Sequence, residues 1–164
     1  MEILFNDLEG LRIAVDIETR GQEFYRQASS YAEKAEYKNL FLMLMNEEIQ
    51  HKETFMNLYN KIKDQKEAFA DDYLFDSEVS RYLTVLAESH VFSEPDKAAR
   101  KIAELNTIGA ILEVAIQAEK DSILFYDELA RNAKFEEAIK IFNLLKQEEQ
   151  GHVVKLRKIM DGLA

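Results

Sequence analysis

The sequence predicts an all-α protein: a four-helix bundle of two antiparallel helix pairs, joined by a long crossover that carries short helices. Three observations lead there. The 164 residues include only Gly 5 and Pro 1, too few breakers for the many tight turns of an all-β chain. Apolar residues recur at helical spacing along two long stretches. Those two stretches are copies of one another at a fixed offset.

The first helix pair spans 6–62. Asn6, followed by Glu9, reads as an N-cap with its capping-box partner. Leu11, Ala14, Val15, Tyr25, Ala28 and Ala32 then mark the apolar face of one helix. Leu40, Phe41, Leu44, Phe55, Leu58 and Ile62 mark that of the next. The turn between them belongs at Glu33-Lys34-Ala35-Glu36.

The crossover spans 63–105 and is punctuated by Asp71-Asp72, Asp76-Ser77 and Ser93-Glu94-Pro95. Ser77 to Ser89 reads as one short amphipathic helix, with Val79, Tyr82, Leu83 and Leu86 on a face. Pro95 suits the first turn of another. The segment is too poor in apolar residues for a core of its own, so 1–164 reads as a single domain.

The second pair spans 106–162. Asn106 reads as the cap of a helix bearing Ile108, Leu112, Ala115, Tyr126 and Leu129, and Asn132 as its left-handed stop. Ala138, Phe142, Leu145, Leu156 and Met160 define the last helix, closed by Gly162.

Composition narrows the function. A chain that is 47% hydrophobic and 32% charged is globular. Cys 0 excludes disulfides, cysteine-ligated metal and a cysteine nucleophile. A net charge of −10, with acids spread along the chain, argues against nucleic acid as a partner. No apolar run reaches membrane-spanning length. The start, MEILFNDLEG, lacks the basic-then-apolar order of a signal peptide, so a cytoplasmic location is expected.

The repeat carries the chemistry. Aligning 11–59 with 112–160, an offset of 101, gives 12 identities in 49 positions. Glu18, Tyr25, Glu47, Glu48 and His51 fall on Glu119, Tyr126, Glu148, Glu149 and His152. Each of these histidines has a Glu three residues before it, hence on the same helix face. Glu18 and Glu48 are centred on residue 33, and Glu119 and Glu149 on residue 134, where the turns are expected. In an antiparallel pair, residues equidistant from the turn lie at one height, here about 22 Å from it.

These residues lie on apolar stripes. Leu44, Glu48, His51, Phe55 and Leu58 form one, and Leu145, Glu149, His152, Leu156 and Ile159 its equivalent. Face to face, the pairs would bury four carboxylates and two imidazoles, which cost several kcal/mol per ion if left uncompensated. Two divalent cations offset four negative charges. The spacing therefore predicts a dinuclear metal site of Glu18, Glu48, His51, Glu119, Glu149 and His152. Tyr25 and Tyr126 are expected to hydrogen-bond ligating carboxylates. Glu47 and Glu148 are expected to be solvated or inter-helix charges, and His90, in the crossover, has no metal role.

With Glu18, Glu48-Ile49-Gln50-His51, Glu119, Glu149-Gln150-Gly151-His152 and the two tyrosines in place, the chain resembles the ferritin-like di-iron carboxylate superfamily, and within it the rubrerythrin group. The resemblance covers both helix pairs. It implies a ferritin-like bundle binding two iron ions that react with oxygen or hydrogen peroxide. Two departures stand out. Rubrerythrins proper carry a rubredoxin-like domain with cysteine-held iron, and this chain has no cysteine. They also tend to have a further Glu on the third helix, where this chain has Ser122.

The expected arrangement puts one metal on Glu18 and His51 and the other on Glu119 and His152, with Glu48 and Glu149 bridging. Iron suits these ligands, and manganese or zinc would also fit. Three functions compete. The first is an oxidoreductase reducing peroxide or oxygen under oxidative stress, with a separate donor such as a rubredoxin-like protein. The second is an iron-oxidising, iron-handling protein of the ferroxidase type. The third is a non-catalytic helical interaction module stabilised by its metals. Tyr73, Phe75, Tyr82 and Phe92 give the crossover more aromatic surface than one short helix can bury, and a homodimer is expected on that ground.

Overall fold

The computed structural model describes residues 3–163; residues 1, 2 and 164 of the expected 1–164 domain lie outside the described residues. Four long helices dominate: α1 (Asp7–Tyr31), α2 (Ala35–Ile62), α5 (Ile108–Asn132) and α6 (Glu136–Asp161). The crossover carries α3 (Ser77–Glu88), α4 (Ala98–Leu105) and short 3-10 turns at Lys66–Phe69, Asp71–Tyr73 and Pro95–Lys97. The fold is the all-α four-helix bundle of two antiparallel pairs read from the sequence, and both turns fall at the centres the repeat predicts.

Local chemistry sets the helix ends. Asn6 caps α1 by accepting from the Glu9 N–H at 2.8 Å. The Glu9 carboxylate does not return the bond, because Arg12 engages both its oxygens. Two cap assignments are corrected. Thr107, not Asn106, caps α5 by accepting from Ala110 N–H, while Asn106 takes a left-handed conformation (φ 50°) that ends α4. Asn106 is the one non-glycine residue with positive φ among the described residues, so Asn132 is no left-handed stop; it is the last helical residue of α5. Asp76 caps α3 through Val79 N–H.

A buried residue from elsewhere caps α6. Phe135, its N-cap, has no side-chain acceptor of its own. Asp7 of α1 accepts from Lys134 N–H at 2.9 Å and Phe135 N–H at 2.8 Å. That contact ties the start of the first hairpin to the turn of the second.

The core has two apolar layers. One gathers Leu11, Ala14 and Ile17 with Phe55, Leu58, Phe125, Leu129, Phe142 and Leu145. The other gathers Phe24, Tyr25 and Ala28 with Phe41, Leu44, Ile111, Leu112, Ala115 and Leu156. The start of α1 thus packs against the end of α2, the end of α5 and the start of α6. Helices α1 and α5 are antiparallel neighbours, and so are α2 and α6. Gly10 allows the close approach of α1 to α5, since a Cβ there would lie 2.7 Å from Leu129 Cδ2.

Helix α2 ends in the first layer and α5 begins in the second, so the crossover must climb the bundle. It is pinned at its base by Phe75 N–H donating to Phe5 C=O and by Phe5 N–H donating to Ser80 Oγ. Phe75 and Phe92 are buried within the chain, and Tyr73 packs edge-on against Phe135. Tyr82, which shares a face of α3 with the buried Leu83, is 43% exposed. The aromatic surplus behind the homodimer expectation is therefore mostly consumed inside the chain. Among the described residues, no helix is long and apolar enough to cross a membrane.

Candidate metal centre

Between the two apolar layers lies one polar layer. Glu18 comes from α1, Glu48 and His51 from α2, Glu119 from α5, and Glu149 and His152 from α6. All six are between 1 and 3% exposed. Their donor atoms form two groups, Glu18–Glu48–His51–Glu149 and Glu48–Glu119–Glu149–His152, with the atoms of each group within 4.8 Å of one another. Glu48 and Glu149 belong to both. The helix-pair geometry explains this: an i, i+3 Glu and His from each of α2 and α6 face inward at the same height as the Glu of α1 and α5.

The two imidazoles are stacked, 5.7 Å apart and 11° from parallel. Nδ1 of His51 faces Glu149 Oε1 at 2.8 Å and Glu18 Oε2 at 3.5 Å. Nδ1 of His152 faces Glu149 Oε2 at 3.4 Å and Glu119 Oε1 at 3.5 Å.

Glu18 Oε2, Glu48 Oε1, Glu149 Oε1 and both Nδ1 atoms are buried without a hydrogen-bond partner. So many orphaned donor atoms in one place are costly in a protein interior, and each carries a lone pair that a cation can use. Carboxylate oxygen with one imidazole per group is also the donor chemistry that divalent iron accepts. The residues fit a pair of divalent cations.

Without cations, protons do part of their work. Burial, and then the negative charges of Glu18 and Glu149, push Glu48 well above the usual carboxylate range. Burial pulls His51 down, but the Glu149 and Glu18 carboxylates outweigh it and bring it up to about 11. Glu149 is raised by burial, yet His152 and His51 hold it below its ordinary value.

The tyrosines reach crosswise. Tyr25 of α1 donates to Glu119 Oε1 of α5 at 2.5 Å, and Tyr126 of α5 donates to Glu18 Oε1 of α1 at 2.5 Å. Both phenols are held well above their ordinary pKa by burial and by the nearby carboxylates, so they remain donors. The sequence places each tyrosine two turns along from the Glu of its own helix; the bond is to the Glu of the other pair.

The crossover closes the site on the α1–α5 side. His90 Nδ1 accepts from Phe92 N–H at 3.2 Å. That leaves Nε2–H to donate to Ser122 Oγ at 3.0 Å, while Ser122 donates to Ala118 C=O. His90 lies outside both donor groups. Phe92 packs on Phe24 and Tyr25. A Cβ at Gly21 would lie 2.7 Å from Glu48 Oε2 and 3.1 Å from Phe92 Cε2. Gly21 is therefore a site residue that sequence reasoning missed. Its signal was a glycine in mid-helix, about 1 kcal/mol worse than alanine, with Ser122 as its repeat mate.

Glu47 and Glu148 lie outside the donor groups and pair with histidines across the helix pairs.

Residues 110–164 match the family model described as Rubrerythrin. A solved structure from Thermotoga maritima, described as a ferritin-like diiron-carboxylate protein, superposes with a TM-score of 0.74 at 25% identity, covering 99% of each chain. Comparison with curated proteins gives no match.

Proposed function

We propose that this chain, a rubrerythrin-like protein of ferritin-like di-iron carboxylate fold, is an oxidoreductase that reduces hydrogen peroxide or oxygen at two iron ions. The observation that carries the reading is the pair of buried donor groups sharing Glu48 and Glu149. Glu18 and His51 would hold one ion, Glu119 and His152 the other, and Glu48 and Glu149 would serve both. A pair of Fe(II) ions supplies two electrons, the number that reduces one hydrogen peroxide to two waters.

The protein's own part is positional. Tyr126 fixes Oε1 of Glu18 and leaves Oε2 turned toward His51. Tyr25 holds Oε1 of Glu119, the oxygen that also lies 3.5 Å from Nδ1 of His152. The apolar layers on either side, built around Phe55 and Phe142 below and Phe41 and Leu112 above, keep bulk water from the polar layer. The chain has no cysteine for an electron-transfer iron of its own, so a separate rubredoxin-like protein would be the donor.

The test is stopped-flow absorbance on anaerobic protein loaded with Fe(II). Oxidation by peroxide faster than by oxygen is expected. Repeated turnover of added Fe(II) with oxygen would move the reading to iron oxidation. No oxidation by either reagent would overturn it.

A further inference from the structure

The strap that closes the polar layer on the α1–α5 side, 89–94, belongs to no helix. Beside it is a cavity of about 260 Å³, lined by Ile13, Ile17 and Arg20 of α1 and by Ala87, Glu88 and His90 of the crossover. Asp16 and Glu88, which also line it, are exposed, so the cavity opens to water. Ile17 adjoins Glu18 in the chain, which brings the cavity next to the polar layer.

His90 stands between cavity and layer. It is 8% exposed, and the ring that lines the cavity donates Nε2–H to Ser122 Oγ, one turn beyond Glu119 on α5. Ser122 and its repeat mate Gly21 are small residues, each one turn beyond a Glu of the donor set. The imidazoles of His51 and His152 enter the layer from α2 and α6, where Glu47 and Glu148 occupy the rim. A small molecule coming from the α1–α5 side would meet neither those rings nor the rim carboxylates.

The bond to Ser122 ties the His90 ring to α5; Nδ1 is engaged within the strap, by Phe92 N–H. A water takes about 30 Å³ of the liquid. The cavity thus has room for several small molecules and for the ring to turn into it. When the ring turns, Ser122 keeps its bond to Ala118 C=O, but its oxygen loses a donor in a buried place, which is unfavourable. Hydrogen peroxide has two O–H groups and can replace that donor. Dioxygen has none.

We infer that this cavity is the entry port for hydrogen peroxide and that His90 is its specificity-determining gate, opening to a molecule that can take over its hydrogen bond to Ser122 and holding back dioxygen. The inference rests on the oxidoreductase reading above and adds the route and the discrimination. A core histidine that merely filled the gap between α1 and α5 would not discriminate between the two oxidants.

The test uses the full chain. Azide entry into the Co(II)-loaded protein, followed by absorbance, reads the port without any oxidation. Ala87→Phe and Ile13→Phe fill the cavity from opposite walls, and each should slow azide entry about tenfold with Co(II) affinity unchanged. His90→Ala should speed entry by about the same factor. Gly151→Phe places a ring on α6 one turn beyond Glu148, where a Cβ meets nothing within 4 Å, and should leave entry unchanged. In the Fe(II)-loaded chain, His90→Ala should lower the ratio of peroxide to oxygen oxidation rates about tenfold. His90→Gln keeps a donor for Ser122 and should retain most of the ratio. Thermal unfolding identifies the variants that fold. Equal azide rates in the folded variants, or slowing by Gly151→Phe instead, would overturn the route. An unchanged oxidant ratio in His90→Ala would overturn the gate. A wild type that admits azide by this route yet reacts with neither oxidant would overturn the oxidoreductase reading and the gate with it, and would uphold the cavity as the way in. A wild type that takes up no Co(II) or Fe(II) would overturn the metal-site reading and this inference together.

Discussion

Tyr25 of α1 reaches across the bundle and donates its hydroxyl to Glu119 of α5 at 2.5 Å. The contact joins the two sequence repeats, and Tyr126 returns it to Glu18. A duplicated helix pair thus makes one site in which each half is held by the other. Tyr25→Phe keeps the ring that packs on Phe24 and Phe92 and removes only the donor. A hydrogen bond to a charged group contributes about 1.5–3 kcal/mol. Competition titration should show roughly a tenfold weakening of one of the two bound cations, with the other spared. Tyr126→Phe should spare the first and weaken the second.

Gly21→Ala sets two effects against each other. Alanine improves mid-helix propensity by about 1 kcal/mol. Its Cβ would intrude on the Glu48 carboxylate at 2.7 Å and on Phe92 at 3.1 Å. Thermal unfolding of the metal-free variant should stay within about 1 kcal/mol of wild type, while metal affinity falls at least tenfold. Loss of folding without an effect on affinity would show that Gly21 serves packing alone.

His90 gives the chain an acid-sensitive point. Burial pulls its pKa down from 6.5 to about 4, against the opposing charges of Asp121 and Glu18 on the packed helices and with the help of Arg20. The folded chain keeps His90 neutral while the unfolded chain protonates it. Its contribution is therefore present above pH 6.5 and is lost as pH falls through about 4. At about 1.4 kcal/mol per pKa unit, this amounts to about 3 kcal/mol. Urea titrations across that interval should show a steeper loss for wild type than for His90→Gln. Parallel curves would contradict the assignment.

Asp7 has a structural role that can be separated from the metal. Asp7→Ala strips two N–H groups at the start of α6 of their acceptor. A loss of about 1–3 kcal/mol in unfolding free energy is expected. Metal stoichiometry, measured on the folded fraction, should be unchanged.

Much of this was legible in the sequence because helical period and antiparallel symmetry are both arithmetic. The midpoints 33 and 134 located the turns, and with them the common height of Glu18, Glu48, Glu119 and Glu149. The crosswise direction of the contacts was not legible. Spacing along one helix tells which face Tyr25 or Glu148 occupies, but not which neighbour stands opposite. Caps in the crossover were misread for a related reason. Asn106 and Thr107 are adjacent and both are good caps, and only the close of α4 decides between them. Asp7 as the cap of α6 spans 127 residues of sequence, beyond any local signal. The rim carboxylates were visible as repeats, yet their partners required α2 and α6 side by side.

The proposed metal centre stands on six side chains from two repeats holding a pair of cations, with Glu48 and Glu149 common to both donor groups. The decisive experiment is anaerobic Fe(II) titration of metal-free protein, read by calorimetry and checked by elemental analysis. Saturation at two ions per chain is expected in the wild type, and loss of the paired site in the Glu48→Ala, Glu149→Ala double variant. A wild type that stops at one ion or none would contradict it, as would a double variant that still takes two with unchanged affinity.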